Sequence, residues 1–214
     1  MKTVVIATNN SHKLSEFKRI FLKEQGADYN ILSLADVGFV GDIEENADTF
    51  EGNSLLKAKA VSEFSGYCAI ADDSGLQVDC LDGAPGVYSA RYAGEGASSA
   101  QLIEKLLNEM DGVTEDNRGA RFVSVMCAYF PDGRSIFAEG VCEGSILFSS
   151  AGDNGFGYDP VFYYKPFDKT FAQMTAEEKN SISHRALATE NLLKKLEAFD
   201  ESNFIPLKLE KVVK

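Results

Sequence analysis

The run Thr3-Val4-Val5-Ile6-Ala7-Thr8 constrains the fold more than any other part of the chain. Its apolar residues are consecutive, so it reads as a buried strand. A polar loop follows, and Ser11 opens a helix on which Leu14, Phe17 and Phe21 recur at intervals of three and four, with Gly26 as its stop. Strand, loop, helix is a pattern that favours parallel neighbours in a sheet. Further along, Arg121 to Phe130 and Ser135 to Val141 read as two long strands joined by Pro131-Asp132-Gly133, a hairpin signal. A hairpin is antiparallel, so a chain that contains both patterns is expected to build a mixed sheet with helices packed on it.

The remaining elements fall between these two. A strand is expected at Tyr29 to Leu34, then an acidic loop with Asp42, Glu44, Glu45 and Asp48, then a helix from about Thr49 to Phe64 stopped by Gly66. Cys68 to Asp72 is apolar and then abruptly acidic, which places Asp72 and Asp73 at a strand tip. Gly75 to Leu81 reads as a separate short strand, followed by a turn cluster at Asp82 to Gly86 and a loop through Gly96. Ser98 and Gln101 form a capping box for a helix with Leu102, Leu106 and Met110 on one stripe, ending at Gly112. Thr175 and Glu178 form a second box, opening a helical region to about Phe199 before an irregular, partly basic tail. No repeat, low-complexity tract or linker interrupts residues 1–214, so a single domain is expected, with two lobes at most.

Composition narrows the partners. With 44% hydrophobic and 25% charged residues the chain has the make-up of a globular protein with a sizeable core. Twenty-one Lys and Arg against thirty-three Asp and Glu leave a net charge of −12. That balance repels a nucleic acid polymer and an anionic membrane surface. A small phosphate ligand stays open, because carboxylates can hold Mg²⁺ and present it to phosphate. Cys68, Cys80, Cys127 and Cys142 form no C-x-x-C pair, and with two His no zinc site of ordinary spacing can be written. Free thiols in a reducing compartment are expected. Val4 to Ala7 is far too short for a secretory signal core, which makes a cytoplasmic location the expectation.

Five segments could carry chemistry. In the loop Thr8-Asn9-Asn10-Ser11-His12-Lys13, free backbone N–H groups at a helix start can hold a phosphate, with Lys13 as a mobile charge; the same residues also make a plain turn and cap. Asp72-Asp73-Ser74-Gly75 either places two carboxylates at a buried position, which is costly without a metal, a cation or N–H partners, or makes a plain surface turn. If strand geometry persists, the two point to opposite faces, so one is assigned the chemistry. Glu44 and Glu45 could complete an oxygen site for Mg²⁺, or belong to a solvated loop. Phe156, Gly157, Tyr158 and Asp159 offer a stacking ring and an acceptor, or an aromatic turn pinned to the core. Lys179, His184 and Arg185 come last, as ligand-binding groups or as a solvated helix face. On one unbroken helix Lys179 and His184 would lie about 140° apart, so a break is expected near Ser181 or Ser183.

In order along the chain, these segments resemble the inosine/xanthosine triphosphate pyrophosphatase family, whose members act on non-standard purine triphosphates. The likeness rests on ATNNSHKLSEF at 7–17, Asn53 with LLKAKA at 55–60, IADDSGLQVDCLDGAPGVYSARYAG at 70–94, ARF at 120–122, GFGYDPVF at 155–162 and TAEEKNSISHRA at 175–186. It implies an α/β fold: an elongated mixed β-sheet flanked by helices, with two lobes around a long central cleft, usually as a homodimer. It implies Asp73 as proton acceptor and Mg²⁺ ligand, with Glu44 as the second carboxylate and Glu45 as the neighbour a one-residue misalignment would exchange for it. Thr8 to Lys13, Ser74 and Lys57 would hold the triphosphate of a small purine nucleotide. Phe156 to Asp159, Lys179, His184 and Arg185 would hold its base. Hydrolysis of ITP, dITP or XTP to the monophosphate and pyrophosphate is the activity implied. A pyrophosphatase for modified pyrimidine triphosphates and a non-enzymatic nucleotide-binding module remain alternatives.

Overall fold

The computed structural model describes residues 1–25 and 29–206, without the side chains of His12 and 22–25. The expected helix stop at Gly26 and the tail beyond 206 lie outside the described residues. Seven strands form one sheet in the order β2-β1-β3-β4-β5-β6-β7. These are β1 Lys2–Ile6, β2 Tyr29–Leu32, β3 Cys68–Val78, β4 Gly119–Tyr129, β5 Ser135–Ile146, β6 Phe162–Tyr164 and β7 Lys169–Thr170. β1 runs parallel to β2 and to β3, with Val4 opposite Cys68 and Ile6 opposite Ile70. β5, β6 and β7 pair antiparallel. The sheet is therefore mixed and the fold α/β, as the two opposed patterns in the sequence require.

The described residues divide into two compact units, one drawn from 1–25, 29–73, 125–139 and 188–206, the other of 74–124 and 140–187. In the first, α1 Ser11–Gln25 and α2 Phe50–Ser65 follow the strand pattern read from the sequence. Thr49 caps α2 by accepting from Gly52 N at 3.0 Å, and Gly66 ends it in the left-handed region. Side chains of β1 alternate between two cores. Val4 and Ile6 pack with Phe17 and Phe21 of α1, whereas Val5 and Ala7 pack with Ala58 and Val61 of α2. β3 keeps the same alternation, Cys68 and Ile70 on the α1 side and Ala69 and Ala71 on the α2 side. Phe17 and Phe21 are fully buried, and truncating either to Ala costs about 3–5 kcal/mol.

The second unit has its own core, in which Leu102 and Leu106 of α3 Ser99–Glu109 meet Phe122, Phe162 and Phe171. The Ser98 capping box of α3 is formed, as is the Thr175 box of α4 Ala176–Ile182. The helical region expected to run to Phe199 is interrupted at Ser183, whose backbone is extended, and resumes as α5 His184–Leu196. Ser183 Oγ accepts from Ala186 N at 3.2 Å, so the serine restarts the helix as its cap.

Three readings of the strands need correction, the first being that β5 runs on to Ile146, five residues past the expected end at Val141. β2 ends at Leu32 and not Leu34, since Leu34 turns back to accept from Phe39 N at 2.9 Å. The segments 68–72 and 75–81 are one strand of 11 residues, ending at Val78 and followed by a short turn of 3₁₀ helix at Asp79–Leu81. Asp72 and Asp73 therefore lie inside a strand and not at its tip. The drop in hydropathy there does not break the strand, because each carboxylate has a cation to balance it.

Candidate active site

Strand alternation settles what the two aspartates face. Asp72 continues the Cys68 and Ile70 side and meets α1, where Lys13 Nζ lies 3.0 Å from its Oδ2. Asp73 continues the Ala69 and Ala71 side and meets α2. There Lys57 Nζ lies 3.4 Å from its Oδ1, and Asn53 Nδ2 donates to its Oδ2 at 3.1 Å. Lys57 also reaches Glu45 Oε1 at 3.1 Å, so one ammonium gathers two carboxylates from different segments. Asp73 is 6% exposed and Lys57 8%, a depth at which removing one partner of the pair costs about 3–5 kcal/mol.

The charges hold each other in place. Burial is the largest influence on Asp73 and lifts its carboxyl above the usual carboxylate range, with the Glu45 charge acting the same way; Lys57, the Asn53 hydrogen bond and Lys13 pull it back only in part. Burial also opposes the charge on Lys57, but Asp73, Asp72 and Glu45 together outweigh it and hold the ammonium above its ordinary value. A buried carboxylate kept basic beside a firmly charged lysine can accept a proton and bind a phosphate oxygen at adjoining positions.

The Thr8–Lys13 loop is tightly tied. Asn10 Oδ1 accepts from Lys13 N at 3.2 Å and Thr8 Oγ1 from Asn10 N at 3.2 Å, while Asn9 Nδ2 donates to Asp42 Oδ1 at 2.9 Å. Ser11 is exposed and begins α1. The His12 side chain lies outside the described residues. Lys13 is not the mobile charge expected, because the buried Asp72 anchors it. Glu44, expected as the second carboxylate, is exposed, and the structure brings its neighbour Glu45 to Lys57 instead. The acidic loop has no periodicity, so nothing in the sequence could separate the two. Asn53 appeared only as part of a motif; its role shows only once its amide is seen against Asp73.

In the second unit Arg185 Nη2 donates to Ser74 Oγ at 3.1 Å. His184 stacks on Phe122, ring centroids 4.8 Å apart and 14° from coplanar. The Asp159 carboxylate is buried and is not open as a simple acceptor, because its Oδ2 takes Lys179 Nζ at 2.7 Å and Phe156 N at 2.9 Å. Gly155 at φ +80° runs so close to Asp159 that a Cβ there would enter the carboxylate, which explains the glycine. Lys179 lies 5.2 Å from the Phe156 ring centroid. Tyr158 is buried with its hydroxyl donating to Ser89 O at 2.9 Å, a core role, while Gly157 N donates to Ser99 Oγ at 2.9 Å. All four cysteines are free, with Cys80 exposed and the other three buried.

Together these features define a class: an α/β protein whose mixed sheet carries a buried carboxylate–lysine centre in one unit and a ring-and-guanidinium cluster in the other. The chain belongs to the Ham1 family, whose profile matches residues 4–195. It is 48% identical over 198 residues to the dITP/XTP pyrophosphatase of Bacillus subtilis (strain 168), covering 92% of this chain and 98% of that one. The dITP/XTP pyrophosphatase of Clostridium perfringens (strain 13 / Type A) is also 48% identical, over 90% of this chain and 96% of the relative. Among solved structures, the Staphylococcus aureus Ham1 protein superposes with a TM-score of 0.83 at 43% identity, covering 93% of this chain and 100% of that one. Among the described residues, no helix is long and apolar enough to cross a membrane.

Proposed function

We propose that this chain hydrolyses deaminated purine nucleoside triphosphates, ITP, dITP and XTP, to the monophosphate and pyrophosphate, and so clears them from the nucleotide pool. One observation carries the reading. Lys57 draws the buried Asp73 and Glu45 onto a single ammonium, in a chain whose relatives carry the name dITP/XTP pyrophosphatase.

In this mechanism Asp73 orients a water molecule and accepts its proton as the water oxygen bonds to the α-phosphorus. The bond from that phosphorus to the bridging oxygen breaks, and pyrophosphate leaves with the oxygen. Lys57 and Lys13 face the charge that develops on the leaving group, and the backbone N–H groups of Asn9 and Ser11, with Ser74, orient the phosphates. Asp73 and Glu45 supply hard oxygens already gathered on one cation, a donor set that fits Mg²⁺. No larger group of His, Cys, Asp or Glu gathers for a metal among the described residues, so water and phosphate would complete its shell. Bound there, Mg²⁺ would supply positive charge against the triphosphate oxygens. Glu44, beside Glu45 in the loop, is the competing ligand, and Glu44→Gln against Glu45→Gln in a magnesium titration decides between them.

Base choice falls to the second unit. Hypoxanthine and xanthine carry a 6-oxo acceptor where adenine carries an amino donor, and His184 and Arg185 present donors. Adenine would leave those donors buried and unpaired, a mismatch of the kind worth about 10⁴ in discrimination. Phe156 stacks on the base, and Lys179 with Asp159 sets its loop. The same reading takes the protein as a cytoplasmic homodimer, which light scattering on the purified chain tests. The central experiment is pyrophosphate release across ITP, dITP, XTP, dATP, dGTP and modified pyrimidine triphosphates, with and without Mg²⁺. Release confined to deaminated purines and abolished by EDTA is expected; equal release from dATP, or none from any nucleotide, defeats the reading.

A further inference from the structure

Asn53 is 0% exposed, and an amide at that depth is unfavourable unless both of its ends are bonded. Both are. Its Oδ1 accepts from Ala47 N at 2.9 Å, two residues beyond Glu45, and its Nδ2 donates to Asp73 Oδ2 at 3.1 Å. The orientation of this amide is forced, because a backbone N–H can only donate and an ionised carboxylate can only accept. One turn further along α2, Lys57 takes the other oxygen of Asp73 and the carboxylate of Glu45. The two oxygens of Asp73 are thus held by two different side chains of one helix. The loop is pressed close at the same point: a Cβ on Gly52 would lie 2.6 Å from Ala47 Cβ.

We infer that Asn53 is a positioning residue for the reaction proposed above, its amide fixing the Asp73 carboxylate and the loop that bears Glu45 in one geometry. The inference rests on that functional reading. Lys57 alone could draw the two carboxylates together, but an ammonium is a point charge on a flexible stem and does not set their orientation. Asn53 supplies the direction, holding Asp73 Oδ2 from one side and the loop backbone from the other.

The test uses the full chain with dITP as substrate and free Mn²⁺, followed by electron paramagnetic resonance, as a metal probe independent of turnover. For Asn53→Ala we expect kcat to fall about 10- to 100-fold with KM within about threefold of wild type, and Mn²⁺ binding to weaken about tenfold. Gly52→Ala leaves Asn53 in place but forces the loop at Ala47 to move, and should weaken Mn²⁺ binding in the same direction by about threefold. It covers the case in which Asn53→Ala does not fold. A folded Asn53→Ala with wild-type kcat and Mn²⁺ binding overturns the inference, and so does a loss in which KM rises as far as kcat falls. A wild type that releases no pyrophosphate overturns the functional reading instead, whereas a competent wild type with unaffected variants overturns only the role of Asn53.

Discussion

In the first unit Lys13 and Lys57 each hold a buried carboxylate of β3, whereas in the second the holding falls largely to rings, with Phe122 flat on His184 and Phe156 beneath the Lys179 ammonium that binds Asp159. The contrast separates two tasks. Charge attracts any phosphate with little regard for shape, while stacked rings and a fixed guanidinium recognise outline and donor pattern. Turnover is therefore expected to depend on the first cluster and selectivity on the second.

The largest effect should come from Asp73→Asn, which keeps the shape and removes the base. Its kcat is expected to fall about 10²- to 10⁴-fold, equally for dITP and XTP, as the proposed assignment of base reading to the other cluster requires. Near wild-type turnover would break the division between the clusters. Next in size is Lys57→Met. Removing the ammonium leaves Asp73 buried without its cation, and urea titration should show a loss of about 3–5 kcal/mol. The pH sense follows from the raised value of Lys57. Its contribution is complete below the ordinary lysine range and is lost as pH rises through the higher folded value, so the gap between wild type and variant should close at strongly alkaline pH.

A smaller change is expected from Arg185→Ala, which should leave kcat on the best substrate largely intact and narrow the preference for dITP over dATP by about tenfold. An unchanged ratio would take base reading away from the second unit. The smallest effect concerns thiols. At neutral pH a maleimide should label Cys80 alone in the folded chain, as the other three are buried. Burial pushes Cys127 and Cys142 up to about 12. In the unfolded chain they ionise near 9, so their contribution to stability should decline from there to about pH 12, which thermal melts across that range would register.

Much of this was legible in the sequence because it is local. The capping boxes at Ser98 and Thr175, the hairpin around Pro131-Asp132-Gly133 and the break at Ser183 depend on residues within one turn of each other. The pairings of Lys13 with Asp72 and of Lys179 with Asp159 are not local, and no spacing rule predicts them. Which of Glu44 and Glu45 meets Lys57 turns on the course of an irregular loop, which no spacing rule gives. The separate strands read on either side of Asp73 show how hydropathy misleads: two charges ended the apolar run, but their partners on α1 and α2 kept the backbone extended.

The alternation along β3 also sets a rule for how this gene segment can vary in length. Losing or gaining one codon between Cys68 and Asp72 would exchange the neighbours of every later side chain, turning Asp73 away from Lys57 and Asp72 toward it. A change of two codons would preserve the sides and alter only the reach. Related chains should therefore tolerate indels in the surrounding loops while keeping this stretch fixed in length, an odd-numbered change being the most damaging.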